Sequence, residues 1–188
     1  MTPDLDGRHL LIGITGGIAV YKMATVVSRL VQRGATVTVA MTPSATRFVA
    51  PLTFEALSGR AVYTSAFEHV EFHDPQHVAL GRAIDAMLIG PATQDAVARL
   101  AHGRADDIVT LLVSVIDRRE TPVLVAPSMN EVMWSQPATR RNLDILRGDG
   151  FQVIDPDSGW QACRAVGPGR LPEPDDLVTA LVAAITPA

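Results

Sequence analysis

Residues 121–134 read TPVLVAPSMNEVMW, and this stretch decides how the rest of the chain is interpreted. Its apolar run, Val123–Ala126, is typical of a short strand buried in a parallel sheet. A proline and a group of small, polar and soft side chains follow the strand before a helix can begin. Because ligands of open α/β sheets bind outside the carboxyl ends of the strands, Ser128, Met129 and Asn130 are candidate site residues.

The amino-terminal part of the chain predicts a β-α-β unit. His9–Ile14 suits a buried strand, Gly16-Gly17 marks a tight turn into a helix over about residues 18–32, and Thr36–Ala40 alternates as a second strand. Such a crossover joins parallel strands of one sheet with a right-handed connection. The unit therefore predicts a parallel sheet.

The turn inside this unit, GITGGIAVYK, favours a phosphate over a dinucleotide. Its glycines fall at positions 13, 16 and 17, which is not the G-x-G-x-x-G spacing, and no acidic residue follows the second strand to bind a ribose. The backbone N–H groups at the helix start and the hydroxyls of Thr15, Thr42 and Ser44 would suit a single phosphate. From these residues alone, a plain strand-to-helix turn is an equal alternative.

Further predicted elements extend the same pattern. Ala86–Gly90 and Phe151–Ile154 predict two more strands and Val62-Tyr63 a short one, with helices at about 51–58, 77–85, 107–117, 137–147 and 175–185. The sum is the α/β class, a Rossmann-like doubly wound sheet of five or six parallel strands with helices on both faces. The strand at 86–90 also ends in a proline and small or hydroxyl residues, Pro91–Asp95. Two such strand ends predict two walls of one ligand site.

Composition and charge narrow the function classes. At 188 residues the chain suits one domain over residues 1–188, because typical domains have about 100–150 residues. The net charge of −4 argues against a nucleic-acid partner. No apolar run approaches the roughly 20 residues of a membrane span, so we expect a cytoplasmic protein without a membrane partner. The single cysteine, Cys163, cannot form an internal disulfide.

The segment FEHVEFHDPQH, residues 67–77, carries three of the five histidines. A zinc site would need a tighter cluster of cysteine and histidine and a second group of ligands elsewhere, so we expect no metal. Most of these side chains are expected on a solvated loop. His77 differs because it begins the next predicted helix, where it could act as a helix-start residue.

Residues 155–174 contain three Gly, four Pro and the only Cys, and we expect no regular element there. An irregular loop of this length is uncommon in a compact domain and is usually functional. We therefore predict a flexible flap over a binding site.

Four motifs occur in order along the chain: TGGIAVYK at 15–22, HVAL at 77–80, APSMN with MW at 126–134, and PDSGWQACRAVGPGRLPEP at 156–174. Together they resemble the homo-oligomeric flavin-containing cysteine decarboxylases over about residues 9–177. Within this family the similarity is greatest to the members that act on 4′-phosphopantothenoylcysteine. The resemblance implies the flavoprotein fold and FMN as the cofactor.

The implied reaction is FMN-dependent decarboxylation of 4′-phosphopantothenoylcysteine to 4′-phosphopantetheine in coenzyme A biosynthesis. It would proceed by thiol oxidation, loss of CO2 and reduction of the resulting ene-thiol. One alternative within the family is an oxidative decarboxylase that acts on the C-terminal cysteine of a peptide and stops at the ene-thiol. Another is a non-catalytic, flavin-binding regulatory subunit. Cys163 favours the first reaction, because oxidative relatives commonly lack this cysteine.

The resemblance also implies roles for individual residues. His77 is an expected essential group near flavin and substrate, and Asn130 is expected to bind the substrate carboxylate. Cys163 is the expected proton donor to the ene-thiol. Met129, which could equally be core filler, Ala162 and Arg170 complete the expected substrate contacts, with Arg170 at the substrate phosphate.

The implied FMN site uses both strand ends. The expected contacts to its phosphate and to its ring and ribityl chain are, respectively, Gly16, Gly17, Ile18, Thr42 and Ser44, and Ala92, Thr93, Gln94 and Asp95. Two residues depart from the family pattern. Asp95 replaces a common Asn and would bring a negative charge to the cofactor if it faces inward. Arg164 replaces a common Gly and would either bind phosphate or point to solvent.

The family pattern also implies an assembly and a partner. We expect a homotrimer or a homododecamer of trimers, with FMN bound between subunits. Because relatives often carry a fused synthetase and this chain stops at Ala188, we expect a separate phosphopantothenate–cysteine ligase.

Overall fold

The computed structural model describes residues 4–67 and 76–186. The strands are β1 (His9–Ile14), β2 (Thr36–Met41), β3 (Ala86–Ala92), β4 (Val123–Pro127), β5 (Gln152–Val153), β6 (Asp157–Trp160) and β7 (Val166–Arg170). The α-helices are α1 (Val20–Gln32), α2 (Pro51–Ser58), α3 (Gln76–Ala83), α4 (Gln94–Ala101), α5 (Ile108–Ser114), α6 (Glu131–Ser135), α7 (Pro137–Gly148) and α8 (Pro174–Ile185). A 3₁₀ helix covers Ala45–Arg47.

The central sheet has five parallel strands in the order β2-β1-β3-β4-β5. Leu10 of β1 pairs with Val37 on one side and with Ala86 on the other. The chain moves outward from β1 in one direction to β2 and in the other to β3, so the strand order reverses between β1 and β3. The α/β doubly wound prediction is confirmed, and this reversal opens a crevice at the carboxyl ends of β1 and β3.

Two apolar layers cover the sheet. Along β1, Leu10 and Ile12 face a layer that includes α1, α2 and α8, while Leu11 faces a layer that includes α3, α4, α5 and α7. This alternation follows from the two-residue period of a strand. Both faces of the sheet are therefore buried, which explains why its strands read as continuous apolar runs.

Several predicted boundaries differ from the structure by one or two residues. The helix expected from residue 18 begins at Val20, because residues 18 and 19 belong to the turn that precedes it. The last parallel strand is only two residues long. Val62-Tyr63 forms no strand of its own, since Tyr63 makes a single parallel bridge to Ala40.

The expectation that residues 155–174 contain no regular element is wrong. β6 and β7 form an antiparallel hairpin in which Trp160 pairs with Val166 and Gly159 with Gly167. Gly and Pro are poor strand formers, so the composition hid this hairpin. The two strands pair through backbone N–H and C=O groups, and the pattern of side chains in the sequence does not predict such pairing.

Asp85, in the turn before β3, joins that turn to the start of β1. Its carboxylate accepts hydrogen bonds from the His9 N–H at 2.7 Å and from Arg8 Nη1 at 2.8 Å. Burial alone would raise the pKa of Asp85, but the His9 and Arg8 hydrogen bonds outweigh it and lower the pKa below 3.8. Asp85 therefore stabilises the folded state fully at pH values above the pKa of an aspartate in the unfolded chain. This stabilisation is lost as the pH falls through the lower pKa that Asp85 has in the folded protein.

We predict that Asp85→Asn lowers the free energy of unfolding by about 1 kcal/mol at neutral pH, because one strong acceptor is lost at a partly exposed site. The difference from the parent should shrink as the pH falls below about 4, since protonation removes the same charge from the parent. Urea unfolding at both pH values measures this. The exposed Asp6→Asn variant is the control, and an undiminished difference at low pH would contradict the assignment.

No helix within residues 4–67 and 76–186 is long and apolar enough to cross a membrane.

Candidate active site

A cavity of about 900 Å³, called the cleft below, lies at the carboxyl ends of β1, β3 and β4. Its wall comes from the turn after β1, the loop after β2, the start of α4, the loop after β4 and the β6–β7 hairpin. This volume is in the range of pockets that bind cofactors. The sequence-predicted residues that line it are Gly16, Gly17, Ile18, Ser44, Thr93, Gln94, Asp95, Ser128, Met129, Asn130, Ala162, Cys163 and Arg170.

The turn between β1 and α1 has the properties of an anion site. Gly16 lies so close to the loop after β2 that a Cβ atom on it would be 2.5 Å from the Ser44 side chain. The first turn of α1 has no acidic residue, and its N-cap residue, Ala19, makes no side-chain capping bond. Backbone N–H groups at such a helix start attract anions. The Ser44 hydroxyl adds a polar group beside them.

The other two hydroxyls predicted for this phosphate site hold the loops together. Thr15 Oγ1 donates to the Pro91 carbonyl at 2.6 Å and accepts from the Thr93 N–H at 3.0 Å. Thr42 is buried, and its Oγ1 accepts from the Ala45 N–H at 3.3 Å and lies 3.0 Å from Ser44 Oγ. Neither residue lines the cleft. Thr15 and Thr42 therefore position this wall from behind it.

The end of β3 places the start of α4 at the edge of the cleft. Thr93 caps the helix, since its Oγ1 accepts from the Ala96 N–H at 3.2 Å. Gln94 Nε2 donates to Thr139 Oγ1 at 2.8 Å, which fixes the amide against α7. Ala92, a predicted cofactor contact, is fully buried and does not line the cleft. As the last residue of β3, Ala92 places Thr93 and Gln94 at the edge of the cleft.

Asp95 lines the cleft, but its carboxylate is turned toward Arg99. Arg99 Nε donates to Asp95 at 2.8 Å, and the Asp95 side chain is 72% exposed. This hydrogen bond raises the pKa of Arg99, with Asp106 contributing further. The negative charge of Asp95 is thus paired and solvated, which limits its effect on a ligand in the cleft.

Asn130 follows β4 and is the N-cap of α6. Its Oδ1 accepts from the Met133 N–H at 2.8 Å. An amide oxygen is the usual partner for a helix N–H, so this bond orients the side chain and leaves the Nδ2 hydrogens as the outward donors. Because Asn130 lines the cleft, it presents an uncharged donor to a ligand.

The hairpin docks on the loop after β4 through backbone contacts. The Met129 N–H donates to the Gly169 carbonyl at 2.9 Å. Gly169 has a φ of +116°, and a Cβ on it would collide with the Met129 carbonyl oxygen. Met129 is nearly buried, belongs to the core layer of α4 and α7, and also lines the cleft, so its two predicted roles coexist.

Ala162 and Cys163 lie in the exposed turn between β6 and β7, and both line the cleft. Cys163 Sγ donates to Gln161 Oε1 at 3.4 Å. Arg164 follows with a φ of +66°, in the left-handed region where side chains other than glycine are strained. Arg164 is exposed and does not line the cleft, which favours its solvent-facing alternative.

We predict that Arg164→Gly stabilises the hairpin by about 1 kcal/mol, because glycine adopts the left-handed region without a Cβ penalty. The Gln161 N–H, which donates to the Ala165 carbonyl at 2.9 Å across this turn, reports the change locally. Its hydrogen exchange should slow by about fivefold, which is the equivalent of that free energy. Faster exchange in the variant would contradict the strain argument.

Two cations share one carboxylate at the base of the hairpin. Arg170 pairs with Glu173. Lys22, in the first turn of α1, donates from Nζ to the Leu171 carbonyl at 2.9 Å and to Glu173 Oε1 at 3.2 Å. Burial lowers the pKa of Lys22 below 10.5, and the charge of Arg170 lowers it further. Both cations line the cleft, so its wall carries positive charge.

His77 does not line the cleft formed by this chain. It lies half-buried in α3, whose bounds are Gln76–Ala83. The other two histidines of the 67–77 segment, His69 and His73, lie outside the described residues. Within the described ranges, no group of three His, Cys, Asp or Glu side chains could hold a metal ion.

A family model described as Flavoprotein matches residues 2–186. The chain belongs to the Flavoprotein family. Curated relatives of this Flavoprotein chain include the coenzyme A biosynthesis bifunctional proteins CoaBC of Bacillus subtilis, 43% identical over 174 residues, and Mycolicibacterium smegmatis, 45% identical over 172 residues. The matches cover 93% and 92% of this chain but 42% and 40% of those proteins. The chain thus spans less than half the length of these relatives.

Solved structures show the same fold. The FMN-dependent cysteine decarboxylase SpaF is 33% identical with a TM-score of 0.80, covering 96% of this chain and 98% of its own. A PPC decarboxylase variant complexed with pantothenoylaminoethenethiol is 25% identical with a TM-score of 0.82, covering 92% of this chain and 95% of its own. The resemblance to the flavin-containing cysteine decarboxylases is confirmed.

Several residues of this Flavoprotein site were missed by sequence reasoning, and Lys22 and Gln161 are the two among them with polar side-chain contacts described above. Lys22 ends the TGGIAVYK motif, and Gln161 stands two residues before the cysteine, so both were inside quoted motifs without being singled out. The contact of Lys22 with Glu173 spans 151 residues, and the contacts of Gln161 depend on a hairpin that the sequence did not predict. Three of the four motifs meet at the cleft, and the HVAL motif does not.

Proposed function

We propose that this chain catalyses FMN-dependent decarboxylation of 4′-phosphopantothenoylcysteine to 4′-phosphopantetheine, a step of coenzyme A biosynthesis. The observation that carries this proposal is that Asn130 and Cys163 line one cleft together with the anion-binding start of α1. An uncharged carboxylate-binding group and a thiol proton donor are what decarboxylation followed by reduction requires. The names of the CoaBC relatives support the same pathway.

The cleft fits FMN. The phosphate would bind beside Gly16 and Gly17, at the Ile18 N–H and at Ser44, where no acidic side chain opposes it; the Gly17 N–H itself donates to the Thr15 carbonyl at 3.0 Å. The ring and ribityl chain would lie along Thr93 and Gln94. FMN, when bound, takes up the two electrons of thiol oxidation and returns them in the last step. The named FMN dependence of SpaF supports this assignment.

Asn130 suits the decarboxylation step. A carboxylate on a saturated carbon is hard to remove because the electron pair left behind has no acceptor, and oxidation of the neighbouring thiol to a thioaldehyde provides one. The Asn130 amide can hold the carboxylate while it is charged. A fixed cation would stabilise the ground state more than the departing CO2 and so oppose the reaction.

Cys163 suits the step after CO2 is lost. Its thiol stands on the hairpin that forms one wall of the cleft, so it can reach a ligand bound between that wall and Asn130. Free thiols are mostly protonated at neutral pH, which suits a proton donor to the ene-thiol carbon. The hairpin also restricts the access of water to the reacting group.

The cationic pair at the hairpin base suits the far end of the substrate. Arg170 can bind a phosphate monoester through two parallel N–H donors, and Lys22 adds a second positive charge behind it. In this structure Glu173 pairs with both Lys22 and Arg170. We propose that the substrate phosphate competes with Glu173 for Arg170.

Cys163 also bears on the alternatives. An oxidative decarboxylase of peptide cysteines releases the ene-thiol and has no use for a proton donor at this position. A non-catalytic flavin-binding subunit has no use for a free donor amide at Asn130 facing the same cleft. The arrangement therefore favours the redox-neutral decarboxylase over both.

We further propose a homotrimer or a homododecamer of trimers. Ile18 and Tyr21 at the start of α1 and Leu52 on the adjoining α2 are each at least 60% exposed, which is costly for apolar side chains unless another subunit covers them. An assembly of this kind would also allow His77 to serve the cleft of a neighbouring subunit. Sedimentation of a stable monomer with tightly bound FMN would contradict this.

The substrate must come from a reaction that joins cysteine to phosphopantothenate through an amide bond, because the lost CO2 is that of the cysteine. We propose a separate phosphopantothenate–cysteine ligase as the source. Copurification or a coupled assay with such a ligase tests the link.

Mass spectrometry tests the proposed function. The purified protein with FMN is incubated with 4′-phosphopantothenoylcysteine without added reductant. A product lighter by CO2 alone is the expected result. A product lighter by CO2 and two hydrogens would establish the oxidative alternative, and an unchanged substrate would favour the binding subunit.

We predict that Asn130→Asp raises KM at least about tenfold, because the amide donor is replaced by a negative charge opposite the substrate carboxylate. The aspartate can still accept from the Met133 N–H, so α6 should stay capped and the protein folded. Asn130→Ser, which keeps a helix cap without the charge, is the matched control and should raise KM by a smaller factor. Unchanged kinetics in the Asp variant would remove Asn130 from the site.

A further inference from the structure

Gln161, directly after β6, is a buried polar residue that lines the cleft. Its Nε2 donates to the Pro168 carbonyl at 2.7 Å and to the Gly167 carbonyl at 3.3 Å. Its Oε1 accepts from the Cys163 thiol at 3.4 Å. Every polar atom of the side chain thus has a partner within the hairpin.

These contacts fix which way the amide points. If the amide were flipped, Oε1 would face two carbonyl oxygens, none of which can donate. The oxygen must therefore face Cys163, and the sulfur must carry the proton that the bond requires. The contact therefore ties the thiol group to the buried Gln161 side chain.

Resting on the proposed function, we propose that Gln161 is a positioning residue that holds the Cys163 thiol at the wall of the cleft. Rotation of the S–H group moves the proton from Oε1 to the substrate while Sγ stays in place. The S–H bond breaks and its electron pair stays on sulfur. The proton forms a C–H bond with the π electrons of the ene-thiol.

The reduction also needs two electrons, and the proposed cofactor can supply them. Protonation of the ene-thiol leaves its sulfur-bearing carbon short of two electrons, and FMN, reduced when the substrate thiol was oxidised, would supply them there as a hydride. Because Cys163 is exposed, a solvent proton can then restore its thiol.

The charged groups around the cleft lie on several elements, and three of them are held in ion pairs. Lys22 on α1 and Arg170 on β7 both pair with Glu173, and Asp95 on α4 pairs with Arg99. Glu131 on α6 packs against Gly167, and Arg164 neighbours the thiol in sequence. The Gln161 contact is the one hydrogen bond that the described residues give to the Cys163 sulfur.

The test measures the rate of iodoacetamide alkylation against pH in the protein as purified with FMN. Cys163 is the only cysteine, so the profile reports this thiol alone. Gln161→Met removes the acceptor and should move the profile about one unit to lower pH. Gln161→Glu places a negative charge there and should move it about one unit to higher pH.

The two variants separate the proposal from a purely structural role. Both remove the Nε2 bonds to Gly167 and Pro168, so a structural role predicts shifts in the same direction or none, and either result would overturn the proposal. Val166→Thr, an exposed change on the same hairpin and outside the cleft, is the control and should leave the profile unchanged.

A second readout links the thiol to product. In Gln161→Met, the fraction of product released as ene-thiol should rise severalfold, because the thiol is no longer held at the wall of the cleft. An unchanged product ratio would overturn the proposal. If the parent protein decarboxylates nothing, the proposed function fails, while the alkylation profiles still decide the role of Gln161.

Discussion

Cys163→Ser should still release CO2 from 4′-phosphopantothenoylcysteine while forming the saturated thiol at least about 100-fold more slowly. A positioned general acid contributes about 10²–10⁴ to the rate of a proton-transfer step, and a serine hydroxyl is a far weaker acid than a thiol. The change removes no contact to Asn130, which is proposed to hold the carboxylate in the earlier step. The ene-thiol should therefore accumulate as the product.

Mass spectrometry of the released product distinguishes the two steps. The Cys163→Ser product should be lighter than the substrate by CO2 and two hydrogens, whereas the parent product is lighter by CO2 alone. Arg164→Gly, which changes the next residue and retains the thiol, is the matched control and should give the parent product. Loss of CO2 release in Cys163→Ser, with FMN still bound, would contradict the assigned role.

Gly169→Ala should detach the hairpin from the loop after β4 at a cost of about 3 kcal/mol. Two effects combine here: alanine is strained at a φ of +116°, and its Cβ would collide with the Met129 carbonyl oxygen. The hydrogen bond from the Met129 N–H to the Gly169 carbonyl would then break. Because this contact forms one wall of the cleft, retention of FMN should also fall.

Gly150→Ala separates strain from collision. Gly150 has a φ of +87°, and a Cβ on it would meet no atom within 4 Å. The control should therefore show the strain alone, about 1 kcal/mol in urea unfolding. If Gly169→Ala destabilises the protein no more than Gly150→Ala does, the hairpin does not depend on this close approach.

The parallel sheet could be predicted because each strand is buried on both faces. β1 and β4 appear in the sequence as uninterrupted apolar runs, and α2 begins at a proline and ends before a glycine. The strand ends also pointed to the right loops, since Asn130 and Thr93 both line the cleft. These features are local, so a single sequence contains them.

What could not be predicted depends on distant contacts. Lys22 and Glu173 are 151 residues apart in the chain, and no spacing rule brings them together. Thr15 has the same hydroxyl as Ser44, yet its bonds to Pro91 and Thr93 place it behind the wall of the cleft. The hairpin was hidden because its strands are built from Gly and Pro, whose pairing is a property of the backbone.

In the described part of the chain, β6 and β7 pair with each other and not with the five-stranded sheet. The element that carries Cys163 is therefore an appendage whose loss or replacement leaves the pairing of the main scaffold unchanged. Under the proposed function, the hairpin at residues 157–170 carries the thiol that decides whether the ene-thiol is reduced or released, while Asn130 and the start of α1 stand on loops of the main sheet.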